Sequence, residues 1–133
     1  CRHNLNYWTY GDYLAAGAGA HGKITTSAGI FREVRIASPN RYLHQVEELG
    51  HGIASANPVA EEDRPFEFML NALRLVDGGP SALFEARTGL PLSCIRDRRG
   101  ELEEKGLLDK NPALLRPTAL GLQFLSDLQE SFL

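Results

Sequence analysis

Gly106-Leu107-Leu108-Asp109-Lys110-Asn111-Pro112-Ala113-Leu114-Leu115-Arg116-Pro117-Thr118 decides the fold of the C-terminal half. Leu107-Leu108 and Leu114-Leu115-Arg116 read as two short strands around the turn Lys110-Asn111-Pro112, which has the residues turns favour. Gly106 stops the helix before it, and Thr118 offers an N-cap oxygen to the helix after it. Upstream, Pro91 opens a helix with Leu92, Ile95 and Leu102 inward, and Pro80 opens a shorter one (Leu83, Phe84, Arg87) that ends at Gly89. Downstream, a last helix turns Leu120, Phe124, Leu125, Leu128 and Phe132 inward. Helix, turn, helix, two-stranded wing, helix is the order of a winged-helix unit.

Further toward the N-terminus, Pro65 opens a helix whose apolar stripe is Phe66, Met69, Leu70, Leu73 and Val76, closed by Gly78-Gly79. Residues 51–64 mix Gly, Pro, Ala and acids without a period, which predicts a linker or irregular crossing. Ser38-Pro39 reads as N-cap and first helical residue of a helix through Tyr42, Leu43, Val46 and Leu49 to Gly50. Residues 23–37 alternate as a hairpin turning at Ser27-Ala28-Gly29, and Leu14 to Ala20 has the small apolar character of a buried strand. The fold class is α+β, with expected divisions at 1–37, 38–64 and 65–133.

Composition narrows the function. With 43% apolar and 23% charged residues the chain is globular, and no apolar run is long enough for a transmembrane segment. Its 14 basic and 17 acidic residues give a net charge of −3, so no global field attracts nucleic acid. The candidate recognition helix, 92–105, sets Arg96, Arg98, Arg99 and Lys105 against Asp97, Glu101, Glu103 and Glu104, a neutral balance unsuited to phosphate contact. Two cysteines, Cys1 and Cys94, form no disulfide framework and suit a reducing, cytoplasmic compartment. A chain opening on Cys rather than Met, without a leader pattern, reads as a fragment of a longer protein.

Gly17-Ala18-Gly19-Ala20-His21-Gly22 matches G-x-G-x-x-G, but a dinucleotide site needs a helix after that loop, and strand-type alternation follows here. The glycines still mark a close backbone approach to something, either a neighbouring strand or a ligand. His44 and His51 read as surface and loop residues. His3 sits among Tyr7, Trp8 and Tyr10, a context suited either to an axial haem ligand or to a hydrogen-bonded structural histidine. Cys1-x-His3 lacks a second Cys/His pair for zinc. No nucleophile elbow or phosphate-binding loop is present, and Glu47-Glu48 and Glu61-Glu62-Asp63 read as solvated faces or a helix cap. A self-contained enzyme is hard to build from these residues.

His3-Asn4-Leu5-Asn6-Tyr7-Trp8, then Gly11-Asp12-Tyr13-Leu14, then Gly17 to Gly22 resemble the H-N-x-x-Y-W … D-Y-L-G-x-G-x-G-A-H-G region of the oxygen-independent coproporphyrinogen III oxidase family. The resemblance is closest to its haem-chaperone, HemW-like branch. Phe66 to Leu70, Leu73-Arg74-Leu75, Phe84 with Arg87-Thr88-Gly89, Gly106-Leu107-Leu108, and Thr118 with Gly121 resemble that family's C-terminal domain. Ala15 and Ala16 depart from the glycine usual after D-Y-L.

The resemblance implies that residues 1 to about 37 end a radical-SAM partial (β/α) barrel and that the rest covers it. It implies a parent with a 4Fe-4S cluster and S-adenosylmethionine, held by a Cys-x-x-x-Cys-x-x-Cys loop that Cys1 and Cys94 cannot replace. The parent would then be a coproporphyrinogen dehydrogenase-like oxidoreductase or a haem chaperone, and the fragment alone no enzyme. Haem or porphyrinogen would meet His3, Tyr7 and Trp8, and the cofactor mouth would meet Gly17, Gly19, Ala20 and His21. An apolar edge along residues 5–36 would favour self-association through strand pairing. The competing reading is an independent winged-helix interaction module without cofactor.

Overall fold

The computed structural model describes residues 6–133, which fall into two compact units, residues 12–59 and the rest. The smaller unit is an antiparallel sheet in the order β1-β2-β3, with β1 at His21–Thr26, β2 at Gly29–Arg35 and β3 at Ile53–Pro58. The β1–β2 register runs from His21 opposite Val34 to Thr26 opposite Gly29, turning at Ser27-Ala28 as the alternation predicts. Helix α1 (Pro39–Leu49) also follows its signals: Pro39 begins it, and Gly50, at φ 78°, ends it by donating its N–H to the Val46 carbonyl. None of α1's residues is buried, and Leu43 and Leu49 are exposed.

Two expectations fail in this unit. Residues 51–64 are not simply a linker, because Ile53–Pro58 form β3 and pair along β2 with a register shift between Val34 and Arg35. Pairing compensates a segment whose own residues carry no strand period. Leu14–Ala20, expected as a buried strand, is not a strand, and Leu14 is 82% exposed. Tyr13 exchanges backbone hydrogen bonds with Lys23 (3.0 Å each way), but the pairing stops at that bridge. Gly17 (φ 87°) and Gly19 (φ 73°) turn the chain straight into β1 and leave too few residues for a ladder. The β1–β2 and β2–β3 pairs are antiparallel, joined by a two-residue turn and by the stretch that holds α1, unlike the parallel strands that form a (β/α) barrel.

The larger unit has a single apolar core of Phe68, Met69, Leu73, Phe84, Ile95, Leu102, Leu108, Leu115, Leu128 and Phe132. Burying each such side chain is worth roughly 1.5–3 kcal/mol before entropy is subtracted. Helix α2 (Arg64–Ala72) buries Phe68, Met69 and Ala72, with Leu73 just past its end; this face is rotated from the expected one, and Val76 lies in the exposed turn beyond. Helices α3 (Ala82–Thr88) and α4 (Arg96–Glu104) follow, α4 preceded by a 3-10 turn at Leu92–Ile95. Gly89 and Gly106 take the left-handed conformation expected of helix stops.

The turn at 109–113 is present, but its strands pair differently from the expected hairpin. Leu114–Leu115 (β5) pairs with Gly79–Pro80 (β4), and Leu108 meets Pro117 in one isolated bridge. Proline at 117 has no N–H to extend a ladder there. The last helix is two, α5 (Ala119–Gln123) and α6 (Leu125–Glu130), broken at Phe124. Leu120 and Phe124 are consequently exposed, whereas Leu128 and Phe132 are buried. Among the described residues, no helix is long and apolar enough to cross a membrane.

Candidate functional site

Residues 6–11 make a tight helical turn. Tyr10 N–H donates to the Tyr7 carbonyl at 3.0 Å and Gly11 N–H reaches back to the Asn6 carbonyl at 2.8 Å, the paired bonds of a Schellman cap. The position that glycine usually fills in this cap is occupied by Tyr10 at φ 59°. A left-handed L-residue costs roughly 1–2 kcal/mol, so something must hold the tyrosine there. The Tyr10 hydroxyl donates to Glu67 Oε2 at 2.7 Å, its ring meets Phe68 edge-on at 6.0 Å, and only 2% of the residue is exposed. Phe68 in turn stacks edge-on against Phe84 at 5.4 Å, which ties the turn to the core. A Cβ on Gly11 would sit 2.0 Å from Asn6 Oδ1, so the Asn6 side chain packs directly over this glycine.

Tyr7 and Trp8 stand side by side on this turn, half-buried. His3 lies outside the described residues. The glycine loop belongs to the other compact unit. There, Gly19 N–H donates to the Ile36 carbonyl just past β2 (2.9 Å) and Ala20 N–H to the Gly17 carbonyl within the loop (3.3 Å), so both amides bond within the sheet unit. The loop opens strand β1 rather than a helix, as the sequence predicts, and His21 is exposed at the strand's start. His44 and His51 are exposed too; His44 Nε2 lies 3.2 Å from Glu48 Oε1, and His51 Nδ1 accepts the Ile53 N–H.

The contacts of three charged groups escape sequence reasoning. Lys23, in a strand of unremarkable pattern, is 2% exposed and contacts Asp12 Oδ1 at 3.1 Å. Asp12 also accepts from Thr25 N–H (2.9 Å) and Thr25 Oγ1 (2.7 Å). Burial pushes the Asp12 carboxyl up, but the Thr25 hydrogen bonds and the Lys23 ammonium outweigh it and hold it below the usual carboxylate range. Arg99, counted with the charges of the recognition helix, instead spends its guanidinium internally. Its Nη2 donates to the carbonyls of Asn111 and Leu114 at 2.8 Å each, and Nε pairs with Glu103 Oε1 at 2.9 Å. Only the i, i+4 spacing of Arg99 and Glu103 was visible beforehand.

A radical-SAM cluster does not fit the residues present. Cys94 is exposed, and among the described residues no three His, Cys, Asp or Glu side chains group as metal ligands. An open groove of about 480 Å³ beside Pro65, Ile95, Arg98 and Phe132 contains none of the expected site residues.

Residues 59–124 match the family described as the HemN C-terminal domain. Over 100% of its length the chain is 39% identical to the heme chaperone HemW of Haemophilus influenzae and 38% identical to that of Escherichia coli. It spans 34% of each of those relatives, about a third of their length. The coproporphyrinogen III oxidase HemN of Escherichia coli, described as a radical SAM enzyme, has a related fold: TM-score 0.59 and 17% identity over 92% of this chain and 28% of that one. The protein thus resembles, along its whole length, the C-terminal part of the oxygen-independent coproporphyrinogen III oxidase family. Relatives named as haem chaperones carry the higher identities.

Proposed function

We propose that this chain is the tetrapyrrole-contacting, barrel-covering part of a radical-SAM protein of this family, acting in haem delivery or porphyrin synthesis. The observation that carries the reading is end-to-end similarity to proteins named as haem chaperones. His3, Tyr7 and Trp8 meet the haem or porphyrinogen: the imidazole ligates iron while the two aromatic faces pack on the macrocycle. The Gly17, Gly19, Ala20 and His21 loop faces the cofactor mouth of the parent. The 4Fe-4S cluster and S-adenosylmethionine belong to another part of that parent, because the cysteines here do not supply the cluster loop. No step of radical chemistry is assigned to these residues. The cytoplasm is the compartment that a reduced Cys94 suits.

The C-terminal part, 65–133, reads as winged-helix-like. Its support is the order α2, β4, α3, α4, β5, with the 109–113 loop as wing and β4 pairing β5. The functional reading is tested by adding hemin to the chain and recording the Soret band beside that of His3→Ala. A shifted band that the substitution removes supports histidine ligation; identical spectra from the two proteins contradict it.

A further inference from the structure

We propose that Tyr10 is a positioning residue for the tetrapyrrole-contact turn, holding Tyr7 and Trp8 at a fixed place on the core through Glu67 and Phe68. This inference rests on the haem-contact reading of Tyr7 and Trp8. Four observations carry it. Tyr10 occupies the left-handed position of the cap at φ 59°, where glycine would form the same two backbone bonds without strain. Its side chain must therefore supply what glycine lacks. That side chain is 2% exposed, with its hydroxyl 2.7 Å from Glu67 Oε2 and its ring 6.0 Å from Phe68. Glu67 and Phe68 are successive residues of α2, so the turn is fastened to one helix by a polar and an apolar contact together. Neighbouring Tyr7 and Trp8 are left half-buried, with part of each surface available to a ligand.

A tyrosine that only closed the turn would be replaceable by glycine at no loss. A tyrosine that places the turn would not be. Trp8 is the sole tryptophan, so its fluorescence reports the turn directly. We expect Tyr10→Gly to preserve the far-UV circular dichroism of the full chain while making Trp8 about twofold more quenchable by acrylamide. The same variant should weaken hemin affinity about fivefold or more, the effect of one lost interaction of ordinary strength. Tyr10→Phe should restore only part of the Trp8 protection, because the ring contact survives but the hydroxyl bond does not, and Glu67→Met, which removes the acceptor, should match Tyr10→Phe.

Trp8 quenching and hemin affinity unchanged in Tyr10→Gly would overturn the proposal. So would altered quenching with wild-type hemin affinity, since the turn would then be placed for no ligand. A wild-type chain that fails to bind hemin at all would overturn the haem-contact reading and the ligand half of this proposal. The acrylamide measurement would still decide whether Tyr10 holds the turn. Should Tyr10→Gly unfold the chain, the Tyr10→Phe and Glu67→Met pair decides: wild-type quenching and affinity in both would overturn the proposal, because neither variant keeps the hydroxyl contact.

Discussion

Asp12 shows how one carboxylate can make the sheet unit sensitive to acid. Its folded pKa is depressed, so the stability it contributes is present above the unfolded value of about 3.9 and is lost as pH falls through the lower folded value. We expect urea midpoints to fall steeply below about pH 4 in the wild type, and Asp12→Asn to flatten that limb while lowering the midpoint at neutral pH. An unchanged acid limb in the variant would place the acid response elsewhere. Arg99 is the corresponding residue of the larger unit. Arg99→Ala should cost about 3 kcal/mol in chemical unfolding, because the Asn111 and Leu114 carbonyls lose a charged donor. Arg99→Lys should recover only part, since a single ammonium cannot serve both the two carbonyls that Nη2 meets and the Glu103 carboxylate that Nε meets.

At the scale of elements, the joint between Gly106 and α5 depends on close approach. Thr118 Oγ1 caps α5 by accepting the Gly121 N–H at 3.0 Å and donates to the Gly106 carbonyl at 2.5 Å. A Cβ on Gly121 would lie 2.1 Å from the Leu107 carbonyl oxygen, a backbone atom that cannot swing aside. Gly121→Ala should therefore destabilise by about 1–3 kcal/mol in thermal unfolding, and Thr118→Ala by about 1 kcal/mol. Elements with local punctuation were legible in advance: Pro39 and Gly50 bound α1, Ser27-Ala28 turn the hairpin, and Thr118 caps its helix. What depends on distant partners was not. β3 exists because β2 offers an edge, and Phe68 rather than Phe66 faces the core because the stripe continues through Met69, Ala72 and Leu73. Lys23 and Arg99 meet partners 11 to 15 residues away, a separation that no helix or strand period records.

For the whole molecule, the aromatic box of the first residues was readable as a motif, whereas Tyr10's backbone strain and its Glu67 partner emerge only in three dimensions. Haem contact at the N-terminal turn is the claim on which the functional account stands. Its most direct measurement is an equilibrium titration of the chain with hemin that follows Trp8 emission and Soret absorbance in the same cuvette. We expect both signals to saturate together at an equimolar ratio, and His3→Ala to abolish the Soret shift. Emission that declines without saturating, together with a Soret band no different from free hemin, would contradict it.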